Sequence, residues 1–275
     1  MSDYLGYQEF CFSEEELANL YHGKLPESVS LLRNEYLLAK DNDGGVIDYF
    51  RNIGDKTVRV TPKTITSKFN GKIKPRNPQQ VLALDMLYDP EITIKVLTGK
   101  FGSGKTMFMC SAAAELLEKN KVDSIVWIRN NVEVKNSRPI GHLPGSYEEK
   151  LMPYAMPLAD HLGGKDGLEY FMRSGKIQIT HLGFLRGRNI ENSIIMCSEA
   201  ENLTKEHVQL LIGRVGEGSS LWLDGDRKQV DHQTFSDNNG LTVAIEKLKG
   251  HPRFGYVRLA KTERSETAAM ADLLD

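Results

Sequence analysis

One short segment, Gly99–Thr106, constrains the fold of this 275-residue chain more than any other feature. It reads Gly-Lys-Phe-Gly-Ser-Gly-Lys-Thr and matches the pattern G-x-x-x-x-G-K-[ST] in full. An apolar, strand-like run, Ile92–Leu97, precedes it, and a stretch with helical spacing, Thr106–Leu117, follows it. In a strand–loop–helix unit of this kind, the loop N–H groups and the positive end of the helix converge on phosphate oxygens. The segment therefore predicts a phosphate-binding P-loop in an α/β fold.

Each residue type in the loop has a physical task. Gly102 and Gly104 allow the sharp turn that aims the backbone N–H groups. Lys105 is expected to reach the β- and γ-phosphates, and the Thr106 hydroxyl is expected to bind magnesium. The nucleotide-binding residues predicted in the loop are Gly99, Gly102, Ser103, Gly104, Lys105 and Thr106. The sequence thus predicts that the chain binds ATP, or another nucleoside triphosphate, together with Mg²⁺ and hydrolyses it.

Beyond residue 91, apolar runs alternate with helical stretches, which predicts a parallel sheet with helices on both faces. The predicted strands are Ile92–Leu97, Ser124–Ile128, Ile177–Leu182, Ser193–Cys197, Ser220–Leu223 and Tyr256–Leu259. The predicted helices are Thr106–Leu117, Lys205–Val215 and Leu241–Leu248. We assign residues 76–275 to this α/β domain.

Residues 1–75 have a different character and are predicted to form a small, mostly β segment with a basic linker. Ser13–Leu20 has a helix start, with Ser13 as N-cap and acids in the first turn. The predicted strands are Glu35–Leu38, Gly45–Tyr49 and Thr57–Val60. Asp41–Gly44 resembles the start of a calcium loop, but the closing glutamate is missing, so a hairpin turn is predicted instead.

Composition excludes some classes of protein. The net charge of −2 and the pI near 6.4 argue against a surface coated with basic groups for nucleic acid. Three cysteines are too few for a disulfide framework, and neither a signal peptide nor a membrane span is recognisable. These features predict a cytoplasmic protein without a membrane partner. A local basic stretch is formed by Lys63, Lys68, Lys72, Lys74 and Arg76. It is either a solvated linker or a surface for RNA or single-stranded DNA.

Two further strand ends carry candidate catalytic groups. Glu199 follows the apolar run ending at Cys197, where a glutamate can polarise the attacking water. The aspartate that usually precedes it and holds magnesium is replaced by Ser198, whose hydroxyl can bond a metal-bound water but carries no charge. Gln229 can sense the γ-phosphate if the strand before it, Ser220–Leu223, inserts between the P-loop strand and the Glu199 strand.

Asn120–Asp123 matches the guanine-reading motif of GTPases. It follows the P-loop helix directly and precedes the second strand, whereas the GTPase motif follows a late strand. We therefore expect a helix end and a turn there, on the wrong side of the nucleotide.

Residues 75–275 resemble the PhoH family, through motifs that occur in family order. The matching pieces are Lys74–Gln80, the P-loop, Ile140–Gly145 with Glu149 and Lys150, Phe184–Arg188, Ser198–Asn202, Gly225, Asp226, Gln229, Asp231 and Glu263–Ser265. The resemblance implies a RecA-like P-loop NTPase with an additional strand, near the superfamily 1 helicases. This chain departs from the family pattern at Ser198, where the family has Asp, and at Glu201, where it has Gln.

The resemblance also implies roles for residues outside the P-loop. Gln80 looks like the glutamine that pairs with the adenine edge, with Gln79 as the adjacent alternative. Arg264 looks like a late arginine that stabilises charge on the transferring phosphate, and Arg186 or Arg188 could serve similarly. The N-terminal part looks like the β segment that precedes the ATPase in relatives carrying a PIN-type nuclease. In residues 1–75 there is no acidic cluster and too little chain for such a nuclease.

Assembly and biological action are less constrained. The residues after Thr106 suffice for one ATPase lobe, whereas a monomeric helicase closes its site with two. A homo-oligomer, a hexameric ring as the resemblance implies, would supply the second face and place Arg264 across a subunit boundary. ATP hydrolysis is then expected to drive RNA or single-stranded nucleic-acid remodelling. The alternative is a regulatory, phosphate-starvation-linked ATPase that acts on a protein partner; a nucleotide kinase would need a lid that is not recognisable here.

Overall fold

The computed structural model describes residues 3–129, 152–227 and 239–263. Its strands, in chain order, are β1 (Tyr7–Cys11), β2 (Tyr36–Lys40), β3 (Val46–Asn52), β4 (Thr57–Arg59), β5 (Ile65–Ser67), β6 (Gly71–Ile73), β7 (Ile94–Gly99), β8 (Ser124–Arg129), β9 (Ile177–His181), β10 (Ser193–Cys197), β11 (Ser220–Gly225) and β12 (Phe254–Leu259). Its α-helices are α1 (Glu14–Tyr21), α2 (Pro78–Tyr88), α3 (Lys105–Glu118), α4 (Met156–Ala159), α5 (Gly164–Arg173), α6 (Lys205–Ile212) and α7 (Gly240–Leu248). Within these residues, no helix combines the length and apolar character needed to cross a bilayer.

The main sheet has six parallel strands in the order β12-β7-β11-β10-β8-β9. Its central strands β10 and β11 are largely apolar before their carboxyl ends, as expected for a parallel sheet covered on both faces. β11 lies between the P-loop strand β7 and β10, the strand that precedes Glu199. The insertion predicted from the sequence is therefore confirmed. It brings the ends of three strands together at the carboxyl edge of the sheet, where ligands bind in folds of this kind.

The two faces of the sheet bury different clusters because side chains alternate along each strand. Leu97 and Trp222 join the cluster that includes residues of α2 and α3. Val96 and Leu223 join the cluster that includes residues of α6 and α7. The same alternation decides which polar residues at the strand ends face the P-loop helix.

The P-loop helix α3 begins at Lys105. Gly104 precedes it with φ of 91°, a left-handed conformation that favours glycine, and no side chain caps the first turn. α3 ends at Glu118, and Asn120, with φ of 52°, reverses the chain toward β8. Asn120–Asp123 is therefore a helix end and a turn, as the sequence predicted.

Residues 7–59 contribute a separate four-stranded sheet with the order β1-β2-β3-β4. β1 pairs in parallel with β2, and the other pairs are antiparallel. α1 has the predicted N-cap, since the Ser13 side chain accepts from the N–H of Glu16 and the Glu16 side chain accepts from that of Ser13. Tyr36 and Leu38 on β2 belong to the same hydrophobic cluster as residues of α2 and α3. The small sheet thus packs directly on the P-loop domain.

The basic stretch after this sheet forms a short hairpin, β5–β6, anchored to the P-loop domain. Ser67 Oγ donates to a carboxylate oxygen of Glu118 at 2.8 Å, and the Lys63 ammonium lies 2.9 Å from Asp85. The other basic side chains of the stretch are exposed; they are Lys68, Lys72, Lys74 and Arg76. The stretch is thus both a packed element and a source of solvent-facing positive charge.

Candidate nucleotide-binding site

A cavity of about 360 Å³ opens at the carboxyl edge of the main sheet. The P-loop forms one wall through Gly104, Lys105 and Thr106, and the ends of β10 and β11 form another through Glu199 and Asp224. The cavity therefore joins the predicted phosphate-binding groups to the predicted catalytic acid.

Close backbone packing shapes the loop. A Cβ atom built on Gly99 would lie 2.3 Å from the carbonyl oxygen of Leu259, the last residue of β12, so only glycine fits there. The Ser103 side chain is fully buried beside Gly99, and its hydroxyl has no hydrogen-bond partner among the described residues. The Lys105 ammonium donates to the carbonyl oxygens of Gly99 at 2.6 Å and Lys100 at 3.1 Å, so it lies against the loop itself.

Gln80 ties this loop to α2. Its side-chain amide donates to the Ser103 carbonyl at 3.3 Å and accepts from the Arg76 N–H at 2.8 Å, and the residue is buried. The amide of Gln79 instead lies 3.4 Å from the Tyr7 hydroxyl. That Gln80 pairs with adenine remains a prediction; the described contacts give it a second task, supporting the P-loop.

The hydroxyl predicted to bind magnesium has a carboxylate partner that sequence reasoning missed. Thr106 Oγ1 donates to a carboxylate oxygen of Asp224 at 2.7 Å. The Ser198 side chain bonds the same carboxylate. Burial raises the pKa of Asp224, while the hydrogen bonds from Thr106 and Ser198 and the charge of Lys105 oppose that rise. The available signal was an acid at the end of an otherwise apolar strand, beside the Gly225-Asp226 motif.

This donor set fits magnesium as P-loop proteins hold it. The described residues contain no group of three or more His, Cys, Asp or Glu side chains that could cage a metal. Mg²⁺ in triphosphate sites needs no such cage, because it keeps several waters and binds one or two protein oxygens plus phosphates. One hydroxyl, from Thr106, next to one carboxylate, from Asp224, meets that requirement.

Glu199 and Glu201 occupy the turn after β10. Glu199 has φ of 55°, a strained value for a residue other than glycine, and its side chain lines the cavity. Glu201 is buried and accepts hydrogen bonds from its own N–H and from that of Asp226. Burial, assisted by the nearby negative charges of Asp224 and Glu199, raises the pKa of Glu201 to about 8.

We predict that Glu201→Gln stabilises the fold in alkaline solution and does so far less at pH 5. When a carboxyl group has a higher pKa in the folded than in the unfolded state, the folded protein becomes less stable as the pH rises. For Glu201 this loss of stability extends from the ordinary pKa of 4.5 to about pH 8. The amide keeps an acceptor oxygen and does not ionise. Each unit of pKa shift corresponds to about 1.4 kcal/mol of folding stability at high pH. Even a third of the Glu201 shift therefore moves the midpoint of thermal unfolding by ~2–4 °C.

Thermal unfolding at pH 5 and pH 8.5 measures this difference, with Glu217→Gln as a control at an exposed position. Equal midpoints for Glu201→Gln and wild type at pH 8.5 would show that Glu201 is not a destabilising buried acid.

The structure does not bring all predicted residues to the cavity. Gln229 and Arg264 lie outside the described residues, as do the motif Ile140–Gly145 and the residues Glu149, Lys150, Asp231 and Ser265. Neither Arg186 nor Arg188 lines the cavity; Arg188 bonds Gln178 on the edge strand β9. Glu263, the last described residue, donates its N–H to the carbonyl of Gly102 at 3.1 Å. The chain immediately before Arg264 therefore lies at the P-loop.

These features define a class. A parallel sheet with a P-loop after one strand, and a further strand inserted before the strand of the candidate catalytic acid, is a RecA-like P-loop NTPase of the additional-strand type.

Comparison with known proteins names the family. The sequence model described as PhoH-like protein matches residues 72–273, and the chain belongs to this PhoH family. Protein PhoH2 of Bacillus subtilis is 37% identical over 98% of this chain and 64% of its own length. Protein PhoH of Escherichia coli K12 is 30% identical over 72% of this chain and 56% of its own length. The chain thus spans between about half and two thirds of these relatives.

A solved structure, the Sulfolobus solfataricus SWI2/SNF2 ATPase core in complex with dsDNA, is also similar. The match has a TM-score of 0.36 and 17% identity, and covers 61% of this chain and 34% of that one. At that level it carries no argument about this protein.

Proposed function

We propose that this protein binds ATP with Mg²⁺ and hydrolyses it to ADP and phosphate, and that the hydrolysis is coupled to remodelling of RNA or single-stranded DNA. One observation carries the proposal: the P-loop, Glu199 and the Thr106–Asp224 pair all line the same cavity. Phosphate-binding groups and a candidate base are thereby within one substrate-sized space.

The chain's own residues divide the work as follows. The N–H groups at the start of α3 and the Lys105 ammonium bind and orient the phosphates. Magnesium, when bound with the nucleotide, neutralises charge on the β- and γ-phosphate oxygens. Glu199 accepts a proton from, or orients, the water that attacks the γ-phosphorus. Gln229 is proposed to sense the γ-phosphate and Arg264 to stabilise charge on the transferring group.

The nucleic-acid part of the proposal is supported by local charge. The exposed basic residues Lys68, Lys72, Lys74 and Arg76 lie on and beside the β5–β6 hairpin, which is anchored to the P-loop helix through Ser67 and Glu118. Nucleic-acid phosphates bound there would have a direct structural route to the nucleotide site. A cytoplasmic hexameric ring is the assembly that we propose, since it would supply a second face for the nucleotide.

A second candidate is a regulatory ATPase that acts on a protein partner without nucleic acid, and the net charge of −2 is compatible with it. The two candidates differ in what stimulates ATP turnover.

We expect RNA or single-stranded DNA to raise the ATP turnover of the wild-type protein. We expect Glu199→Gln to bind ATP normally but to hydrolyse it on the order of 10²-fold more slowly with and without nucleic acid, because the amide cannot accept the water's proton. Phosphate release measured with poly(U), single-stranded DNA and no addition tests both statements. Turnover that no nucleic acid changes would support the regulatory candidate, and wild-type turnover in Glu199→Gln would remove Glu199 from the mechanism.

A further inference from the structure

We propose that Asp224, at the end of β11, supplies the carboxylate at the magnesium position of this site, in place of the residue before Glu199 on β10. This inference rests on the proposed ATP and Mg²⁺ binding and adds a residue to that site. It explains how the site can operate with serine at position 198.

The register of the sheet puts the two positions side by side. Cys197 on β10 pairs with Leu223 on β11, so the residues that follow, Ser198 and Asp224, are neighbours across the strands. Met196 and Trp222, each two residues earlier, both face the cluster of α2 and α3. Because side chains alternate along a strand, Ser198 and Asp224 point to the same face, toward the start of α3.

Thr106 lies in the first turn of that helix, and its hydroxyl identifies the functional carboxylate. The 2.7 Å contact between Thr106 Oγ1 and Asp224 places the acid beside the group that binds magnesium in P-loops. Ser198 contributes a hydroxyl that bonds Asp224 and so orients it. Because β11 lies directly beside the P-loop strand β7, the Asp224 side chain does not have to extend further to the magnesium position than an acid on β10 would.

Two other acids of the cavity, Glu201 and Glu199, are placed differently. A carboxyl oxygen of Glu201 accepts a hydrogen bond from the backbone N–H of Asp226. Glu199 lies in the left-handed turn beyond β10, one residue past Ser198. Within the described part of the chain, Asp224 is the acid that accepts the hydrogen bond of the Thr106 hydroxyl.

A purely structural tether would not need an acid. Asp224 is 3% exposed, and burying a carboxylate costs far more than burying an amide or a hydroxyl that could accept the same bonds. A buried carboxylate facing a metal-binding hydroxyl and the Lys105 ammonium is explained by a cation that offsets this cost when nucleotide is bound.

The inference is tested with a swap of the two residues. The affinity of a fluorescent, non-hydrolysable ATP analogue is measured in Mg²⁺ and in EDTA for the wild type, Asp224→Asn, Ser198→Asp and the double variant Ser198→Asp/Asp224→Ser. Asp48→Asn, a buried acid of the small sheet, is the matched control. The quantity compared is the ratio of the two affinities, which reports the magnesium contribution and not overall binding.

We expect Asp224→Asn to lose about tenfold or more of the magnesium enhancement while binding the analogue in EDTA at least as tightly as wild type. That loss corresponds to about 1.4 kcal/mol. The double variant should recover most of the enhancement, because the carboxylate returns on the neighbouring strand. The Asp48→Asn ratio should equal that of wild type.

Two results would overturn the inference while leaving ATP binding intact. One is an unchanged magnesium enhancement in Asp224→Asn. The other is an equal loss of affinity in Mg²⁺ and EDTA, which would make Asp224 a structural tether. If Asp224→Asn does not fold, the double variant decides alone, since a magnesium enhancement below a tenth of wild type would contradict the swap. A wild-type protein that binds no analogue at all would instead remove the proposed function, and this inference with it.

Discussion

Lys105→Ala should lower the ATPase kcat/KM on the order of 10³-fold or more and remove tight ATP binding. We predict that Lys105 binds the β- and γ-phosphates, and its ammonium lies in the P-loop against the carbonyl groups of Gly99 and Lys100. Losing a bond to a charged phosphate costs about 1.5–3 kcal/mol in binding. Losing one preorganised charge-stabilising donor costs a further 10²–10³-fold in rate.

Isothermal titration with ATP and a phosphate-release assay measure the two effects. Lys119→Ala is the matched control, because the exposed Lys119 follows α3 at its opposite end and pairs with Glu115, away from the cavity. A folded Lys105→Ala protein with the affinity and turnover of Lys119→Ala would show that the nucleotide binds elsewhere.

The P-loop and the strands around it could be predicted from the sequence because their signals are local. A complete phosphate-binding motif and continuous apolar runs require no knowledge of the tertiary fold. The predicted strand Ser193–Cys197 coincides with β10, and the predicted order of β7, β11 and β10 holds. α1 was predictable for the same reason, since its capping box lies within a few residues.

Elements without a periodic apolar pattern were missed, although α2 has a local start signal in Asn77 and Pro78. α2 is buried on nearly all sides through residues such as Val81, Leu82 and Leu84, so its apolar residues do not repeat at a helical period. β1 and the β5–β6 hairpin are short, and their pairing partners are set by tertiary packing.

The partner of Thr106 was missed for a different physical reason. Asp224 lies 118 residues from Thr106 in sequence, and only the register of β11 against β7 and β10 brings the two together. Sequence reasoning placed the metal-binding position at Ser198, directly before Glu199. The residue is indeed at the site, but the structure shows its hydroxyl bonded to the acid on the next strand. An acid in an unusual position is therefore visible only after the sheet order is known.

Arg264→Ala should reduce turnover on the order of 10³-fold or more while leaving ATP binding nearly unchanged, as expected for an arginine that stabilises charge only in the transition state. The preceding residue, Glu263, bonds Gly102 of the P-loop within the same chain. From this place in the chain, Arg264 can serve its own nucleotide or that of a neighbouring subunit. We predict the neighbouring subunit, because the one ATPase lobe that the described residues form leaves part of the nucleotide open to water, where electrostatic stabilisation is weak.

Mixing two inactive proteins distinguishes these arrangements. A Lys105→Ala subunit cannot use its own site but can donate Arg264, whereas an Arg264→Ala subunit binds ATP and lacks only that arginine. In rings assembled at random from equal amounts, roughly a quarter of the interfaces combine an intact P-loop with a donated arginine, so ATP turnover should reappear at about that fraction of wild type. Native mass spectrometry verifies subunit exchange, and light scattering measures the assembly during turnover. A mixture as inactive as its components, despite verified exchange, would place Arg264 at its own nucleotide, and monomers alone under turnover conditions would exclude the ring.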